Sequence, residues 1–205
     1  MSEGKTVEAT NFVLVNEKGE KKAELGLDEN GAPKLQLMSG QANVRFGLTI
    51  DESGSPRIGY FDGEGKSLAG LTFEQDGSTA LFDSDGRLLA VLKYTTDGAP
   101  SLLLSDKKWK PRLVLGFQKG APHVYMYDDE AQERFRFTAT PEGMAQVSFA
   151  NEKTKVPARL TMASDGSWLL VDARRKPIAK LTFGEDGAPS LELCDNDGKT
   201  IWKAP

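Results

Sequence analysis

The chain has 205 residues, which is enough for one domain of ordinary size or for one array of repeats. Its net charge of −4 argues against nucleic acid as a partner, because a surface that binds nucleic acid is basic. The single cysteine, Cys194, excludes an internal disulfide and a cysteine-based metal cluster, and no apolar run is long enough for a membrane helix. The first residues lack the apolar segment of a signal peptide, so we expect a cytoplasmic protein that does not insert into a membrane.

A pair of apolar residues recurs about every 22 residues from one end of the chain to the other, and this period is typical of a repeat protein. The clear copies are Phe12/Leu14, Leu35/Leu37, Ile58/Tyr60, Leu102/Leu104, Val124/Met126 and Leu191/Leu193, and weaker copies lie at 80–82, 147–149 and 168–171. Apolar residues do not recur at helical spacing over a useful length. The sequence therefore predicts nine tandem units without helical repeats.

Each unit carries two strand signals. The first is short and alternating, as in 34–37 and 190–193, and the second reads Ala-x-Leu-x-apolar, as in 23–27, 69–73, 90–94, 158–162 and 179–183. The residues between the apolar positions are mostly charged, Thr or Gly. This pattern predicts a sheet with one buried apolar face and one face in water.

Two kinds of turn separate these strands. Within a unit the chain reads Asp or Asn followed three residues later by Gly, as in 83–87 and 195–199, which is typical of a type I turn closed by a left-handed glycine. Between units it reads Asp-Gly-x-Pro, as in Asp97–Pro100, where the glycine supplies a positive φ and the proline starts the next strand. Each unit is therefore predicted to be a β-hairpin.

These signals predict an all-β fold with nine tandem two-stranded repeats in an antiparallel meander, which forms a flattened barrel, a sandwich or a spiral sheet. We expect an N-terminal lead-in at 1–10 and a single β-repeat domain at 11–205. The alternative is a two-sheet β-solenoid with parallel stacking. We favour the meander, because a solenoid would stack the equivalent acidic residues in a ladder of like charges; these are Asp62, Asp83, Asp106, Asp128, Asp172 and Asp195.

The full unit, Asp-Gly-x-Pro-x-Leu-x-Leu-x-Asp-x-x-Gly-Lys-x-x-Ala-x-Leu, is similar to that of uncharacterised bacterial proteins with repeats of about 22 residues. Its hairpin turn, in 81–88 and at Tyr127-Asp128, also resembles the YD-type hairpin repeats of bacterial shell-forming toxins. The resemblance covers residues 12–205. It implies a structural or interaction role and carries over no catalytic residues.

The reactive side chains of this sequence do not indicate catalysis. His123 is the only histidine, so it cannot be part of a multi-histidine metal site, and its place in the repeat predicts an exposed side chain. The turns at 83–86 and 195–198 partly echo the start of a calcium-binding EF-hand loop, but they lack the glutamate at the twelfth position and the flanking helices. We therefore predict a protein that is not an enzyme and that has no cofactor, metal site or catalytic residue.

The repeat breaks down in units five to seven, where a turn becomes basic around Trp109 and aromatic residues enter a face that is polar elsewhere. Aromatic and arginine side chains on a polar sheet face are typical of interaction hot spots. The candidate partner-binding residues are Lys107, Lys108, Trp109, Lys110, Arg112, His123, Tyr125, Tyr127, Arg134 and Arg136. We expect a structural and interaction protein that assembles with itself or with a protein partner; the alternative is a ligand-binding module that uses this aromatic and basic surface. The sequence leaves a small-molecule ligand open.

Overall fold

The computed structural model describes residues 6–40, 43–140, 144–150, 158–172 and 174–205, and these contain eighteen β-strands and no helix. The strands are β1 (Asn11–Val15), β2 (Lys21–Leu27), β3 (Pro33–Met38), β4 (Val44–Ile50), β5 (Pro56–Phe61), β6 (Ser67–Phe73), β7 (Thr79–Asp83), β8 (Leu88–Tyr94), β9 (Pro100–Ser105), β10 (Pro111–Gln118), β11 (Ala121–Tyr127), β12 (Glu133–Ala139), β13 (Ala145–Phe149), β14 (Ala158–Met162), β15 (Trp168–Val171), β16 (Pro177–Phe183), β17 (Pro189–Cys194) and β18 (Thr200–Ala204). Half of the predicted lead-in, residues 1–5, lies outside the described residues.

The chain divides into two compact units, Met1–Lys93 and Tyr94–Pro205. In the first unit, β1 to β8 pair consecutively and antiparallel. In the second unit, β9 to β18 do the same. The predicted meander of β-hairpins is therefore confirmed, and the parallel β-solenoid is wrong.

Neither meander closes into the predicted flattened barrel. Over the described ranges, β1 pairs with β2 alone in its unit and β18 with β17 alone in its unit. Strand contacts within each unit run between neighbouring strands, so no second layer packs on the sheet as a sandwich requires. The alternation of apolar and polar residues decides which side chains share a face, but it does not decide the curvature that would bring end strands together.

Most of the described turns share one backbone design; the two-residue turn between β10 and β11, with positive φ at Lys119 and Gly120, differs from it. In the turn between β1 and β2, the Asn16 N–H donates to Glu20 O (3.0 Å) and the Gly19 N–H donates to Asn16 O (2.9 Å). The turn between β2 and β3 repeats this from Asp28, with a positive φ of 79° at Gly31. The two predicted kinds of turn therefore differ mainly in the adjacent strands. Strand pairs joined by a turn inside one repeat, such as β1–β2 and β3–β4, have a register shift next to the turn.

The first residue of the turn holds it with its own side chain. In the turn after β5, Asp62 Oδ1 accepts the N–H groups of Glu64 and Lys66, both at 2.9 Å. These donors lower the pKa of Asp62, with the Lys66 N–H as the largest cause. The acidic turn positions thus serve the backbone, which is the ordinary use of aspartate in turns.

The polar face of each sheet is more buried than the apolar face, which is the reverse of our expectation. The described hydrophobic residues that are buried are Ala80 and Val171 alone, whereas the buried polar residues are Glu24, Ser55, Thr72, Ser78, Ser101, His123 and Ser148. Long side chains on the polar face lie across their neighbours; Lys34 Nζ, for example, reaches Glu24 Oε1 at 3.3 Å. The apolar side chains of each unit stand on a face that no described strand of that unit covers, so the predicted burial of that face is wrong.

Candidate functional site

Trp109 occupies a turn position that favours glycine. The turn between β9 and β10 has the same hydrogen bonds as the others, with the Trp109 N–H donating to Asp106 O at 3.0 Å. In the equivalent turn the third residue after Asp83 is Gly86, with φ 73°, whereas Trp109 has φ 66° and is 62% exposed. A bulky residue with positive φ is strained, and such strain is concentrated at functional sites.

Two of the basic residues next to Trp109, Lys110 and Arg112, are held by Asp106 and Asp129. Arg112 donates from Nε to Asp106 Oδ2 (2.9 Å) and from Nη2 to Asp129 Oδ1 (2.6 Å). Lys110 Nζ also donates to the backbone oxygen of Asp129. These contacts join the β9–β10 turn to the β11–β12 turn. The cationic groups of Lys110 and Arg112, which we assigned to a partner, thus already have contacts inside the unit.

The two arginines of β12 are also ion-paired. Arg134 donates to Asp128 Oδ2, which belongs to the preceding turn. Arg136 makes a two-pronged contact with Glu133, from Nε at 2.9 Å and from Nη2 at 2.6 Å. The Glu133 hydrogen bond is the largest cause that raises the pKa of Arg136. Arg136 therefore stays charged, and both arginines have carboxylate partners held against them.

Three of the candidate residues form a stack on the polar face of β11 and β12. The rings of His123 and Tyr125 lie 4.3 Å apart at 14°, and the Arg136 guanidinium lies 4.8 Å from the centroid of the Tyr125 ring. The Tyr125 hydroxyl donates to Gln118 Oε1 at 3.1 Å. This is a cation–π arrangement, and β3 and β17 carry polar or charged residues at the equivalent positions, as at Gln36 and Glu192.

His123 is buried rather than exposed as predicted. It is 9% exposed, and its Nδ1 is buried without a hydrogen-bond partner. The reason is its neighbourhood: it pairs with Gly116 on one side, and the Tyr125 ring covers it. Burial lowers the pKa of His123, and the nearby Arg136 lowers it further, so the ring stays neutral at neutral pH. Burial likewise raises the pKa of Tyr127, and Glu133 adds to that effect.

The ten candidate residues thus separate into a stacked row, a set of ion-paired arginines and an exposed turn. The turn of Lys107, Lys108 and Trp109 is the part most open to a partner. The sequence analysis missed the carboxylates Asp129 and Glu133 that hold the arginines. Glu133 left a signal, because it lies three residues before Arg136, whereas Asp129 left none, because it lies 17 residues after Arg112 in a different turn.

The described residues contain no group of three His, Cys, Asp or Glu side chains that is arranged to hold a metal ion. At the turn that echoes an EF-hand, Asp83 Oδ1 accepts the N–H groups of Asp85 and Arg87, both at 2.9 Å. The described part of the chain contains no helix that could cross a membrane.

Comparison with known proteins gives distant similarity to solved structures. No protein-family model matches the chain, and no curated protein matches it. Among solved structures, the chain is similar to the TCP domain of SAS-4 (dCPAP) of Drosophila melanogaster, which was solved in complex with a proline-rich motif of Ana2 (dSTIL). The match has 9% sequence identity and a TM-score of 0.43, and it covers 84% of this chain and 96% of that one.

Proposed function

We propose that this chain is a non-enzymatic structural and interaction protein that assembles with itself or with a protein partner. The observation that supports the proposal is the uncovered apolar face of the second unit, 94–205. In this unit the described strands place no charged side chain at an in-register position of that face. We call it the apolar face; it carries Leu104, Phe137 and Phe149, among others.

The size of the apolar face favours a second sheet as its occupant. Twelve large hydrophobic side chains on it are 36–54% exposed, namely Leu104, Leu115, Phe117, Met126, Phe137, Phe149, Met162, Trp168, Phe183, Leu191, Leu193 and Trp202. At ~200 Å² for each large side chain, they present roughly 1,000 Å² of apolar surface. The largest patch on a typical monomer is about 300–600 Å², and a stable interface buries about 800 Å² on each partner.

A face without charge is complementary to another copy of itself. Two such sheets packed face to face would form a β-sandwich, with a core shared between the two chains. Self-association is therefore the form of assembly that we favour, and a protein partner with an apolar sheet is the other form.

Mass measurement tests this function directly. Light scattering coupled to gel filtration, over a series of protein concentrations, is expected to show a discrete oligomer or a growing assembly. A protein that stays monomeric at the highest concentration and that captures no partner contradicts the proposal.

A second candidate function is a ligand-binding module that uses the surface around Trp109, Tyr125 and Tyr127. Its support is the strained backbone of Trp109, because a glycine at that position would form the same turn without strain. An exposed aromatic side chain at a position with backbone strain indicates that Trp109 serves recognition rather than turn formation.

The matched variants Trp109→Gly and Arg175→Gly separate these explanations. Arg175 has the same left-handed backbone, with φ 63°, in another turn of the same unit. A partner that uses this surface is expected to bind wild type and Arg175→Gly equally and Trp109→Gly at least roughly thirtyfold more weakly, which corresponds to about 2 kcal/mol for an aromatic hot spot. A partner that binds all three proteins equally excludes the Trp109 surface.

A further inference from the structure

Three glycines form a row across the polar face of the first unit. Gly47 in β4 lies opposite Gly59 in β5, and Gly59 lies opposite Gly70 in β6. Glycine in a strand interior weakens the strand and often marks a place where another group approaches the backbone closely. The row is therefore a strip of bare backbone three strands wide.

The Phe61 ring already fills part of this strip. A methyl group on Gly59 would lie 2.7 Å from Phe61 Cζ, and one on Gly47 would lie 3.6 Å from Phe61 Cε2. A methyl group on Gly70 would meet only the backbone oxygen of Ile58, at 3.4 Å, and no side chain within 4 Å. A space for a second flat ring is thus left above Gly70.

The surroundings of this space belong to a cavity of about 750 Å³ on the polar face. Phe82 lies directly opposite Gly70 and forms one wall, and Phe61 forms another. Known small-molecule sites have volumes of about 300–1,000 Å³ and are lined by apolar groups with a few polar ones. The cavity therefore has the size of a site for a small molecule, and its lining combines two phenylalanine walls with polar side chains.

One polar group in the cavity wall has no partner. Thr72 lies on the same strand and face as Gly70, is 7% exposed, and its Oγ1 is buried without a hydrogen bond. Most buried hydroxyls in proteins have a partner, and an unpaired one destabilises the fold. Thr72 lines the cavity, and a 120° change of χ1 moves its hydroxyl to another staggered position, from which it can donate to a ligand.

Most charged groups in the cavity wall already have partners, which favours an uncharged ligand. The carboxylates of Asp28 and Asp83 accept backbone N–H groups of their own turns, and Glu74 is the other acidic residue of the wall. Arg57 Nε contacts Asp51 Oδ2 at 2.8 Å, and Lys34 is paired with Glu24. Both cations are therefore compensated by carboxylates, and a charged ligand gains little from either of them.

We propose that this cavity binds a neutral, planar heteroaromatic molecule. Its ring lies over Gly70 between Phe61 and Phe82, in the way that Phe61 lies over Gly59, and its ring nitrogen accepts a hydrogen bond from Thr72. This site is independent of the apolar face, because the cavity belongs to the first unit and the apolar face to the second.

Two probes of the same shape test the proposal. Quinoline carries a ring nitrogen, and naphthalene has the same two fused rings without it. In NMR titrations of the wild-type protein, both are expected to shift the amide signals of Gly70 and Thr72, and quinoline is expected to bind roughly three- to tenfold more tightly, as one hydrogen bond provides. Equal affinities, or no shifts at these residues, overturn the proposal.

Two variants locate the ring and the hydrogen bond separately. Gly70→Val fills the space above the strand and is expected to abolish the shifts from both probes, while the amide spectrum and the thermal midpoint show a fold at least as stable as wild type, because valine suits a strand. Thr72→Val is expected to keep naphthalene binding and to lose only the preference for quinoline. Binding that survives in folded Gly70→Val, or a preference that survives in Thr72→Val, contradicts the proposal.

Discussion

A lysine at position 183 should disrupt the proposed assembly without unfolding the chain. Phe183 lies on the apolar face in β16 and is 47% exposed. Covering the exposed half, about 100 Å², stabilises an interface by about 2.5 kcal/mol. A symmetric dimer contains the residue twice, so Phe183→Lys is expected to weaken dimerisation by about 5 kcal/mol, or roughly 10³- to 10⁴-fold.

The neighbouring residue provides a matched control. Thr182 is exposed on the opposite face of the same strand, so Thr182→Lys adds the same charge at almost the same place. Sedimentation velocity over a wide range of concentration should show a monomer for Phe183→Lys and an assembly for Thr182→Lys and for wild type, with unchanged circular dichroism in all three. If Thr182→Lys dissociates the assembly equally well, or if Phe183→Lys leaves its mass unchanged, the reasoning about the apolar face is wrong.

Three further predictions concern the turns and His123. Urea denaturation should show that Ala131→Gly raises the free energy of unfolding by about 0.5–1 kcal/mol and that Gly86→Ala lowers it by a similar amount, because both positions have positive φ; a change of the same sign in both contradicts this. The lowered pKa of Asp62 means that its stabilising effect is present above the unfolded-state pKa of about 3.9 and is lost as the pH falls through the folded-state pKa, so Asp62→Asn, which keeps the acceptor oxygen, should lose less stability in acid than wild type. The His123 imidazole signal should titrate below pH 6.5 by NMR, since burial lowers its pKa, and a midpoint at or above 6.5 would exclude the buried ring.

The strand and turn pattern was predictable because each hairpin is specified locally. Pro33, Pro56, Pro100 and Pro189 all begin strands, as the Asp-Gly-x-Pro pattern indicated. Alignment of Asp106–Lys110 with the equivalent turns would also have placed Trp109 at the glycine position. Signals of this kind depend on residues that are close in sequence, and the structure retains them.

The burial of the faces was not predictable in the same way. Alternation placed Phe149 and Leu193 on one face, but whether a face is covered depends on how distant strands meet, which a repeat with a two-residue alternation does not determine. His123 was misjudged for a related reason: its burial comes from the Tyr125 ring and from a glycine on the next strand. The row of Gly47, Gly59 and Gly70 did leave a signal, a glycine in each of three successive strands, but its register became evident only from the pairing.

Within each unit, the pairing of the described strands with their neighbours in sequence has a kinetic and an evolutionary consequence. Contacts of this kind give each unit a low contact order for an all-β protein, and low contact order is associated with fast folding. Stability then behaves as a sum over hairpins and the interfaces between them, as in other linear repeat proteins. Loss or gain of one whole hairpin therefore changes the width of the meander, and with it the area of the apolar face, without requiring the remaining strands to repack.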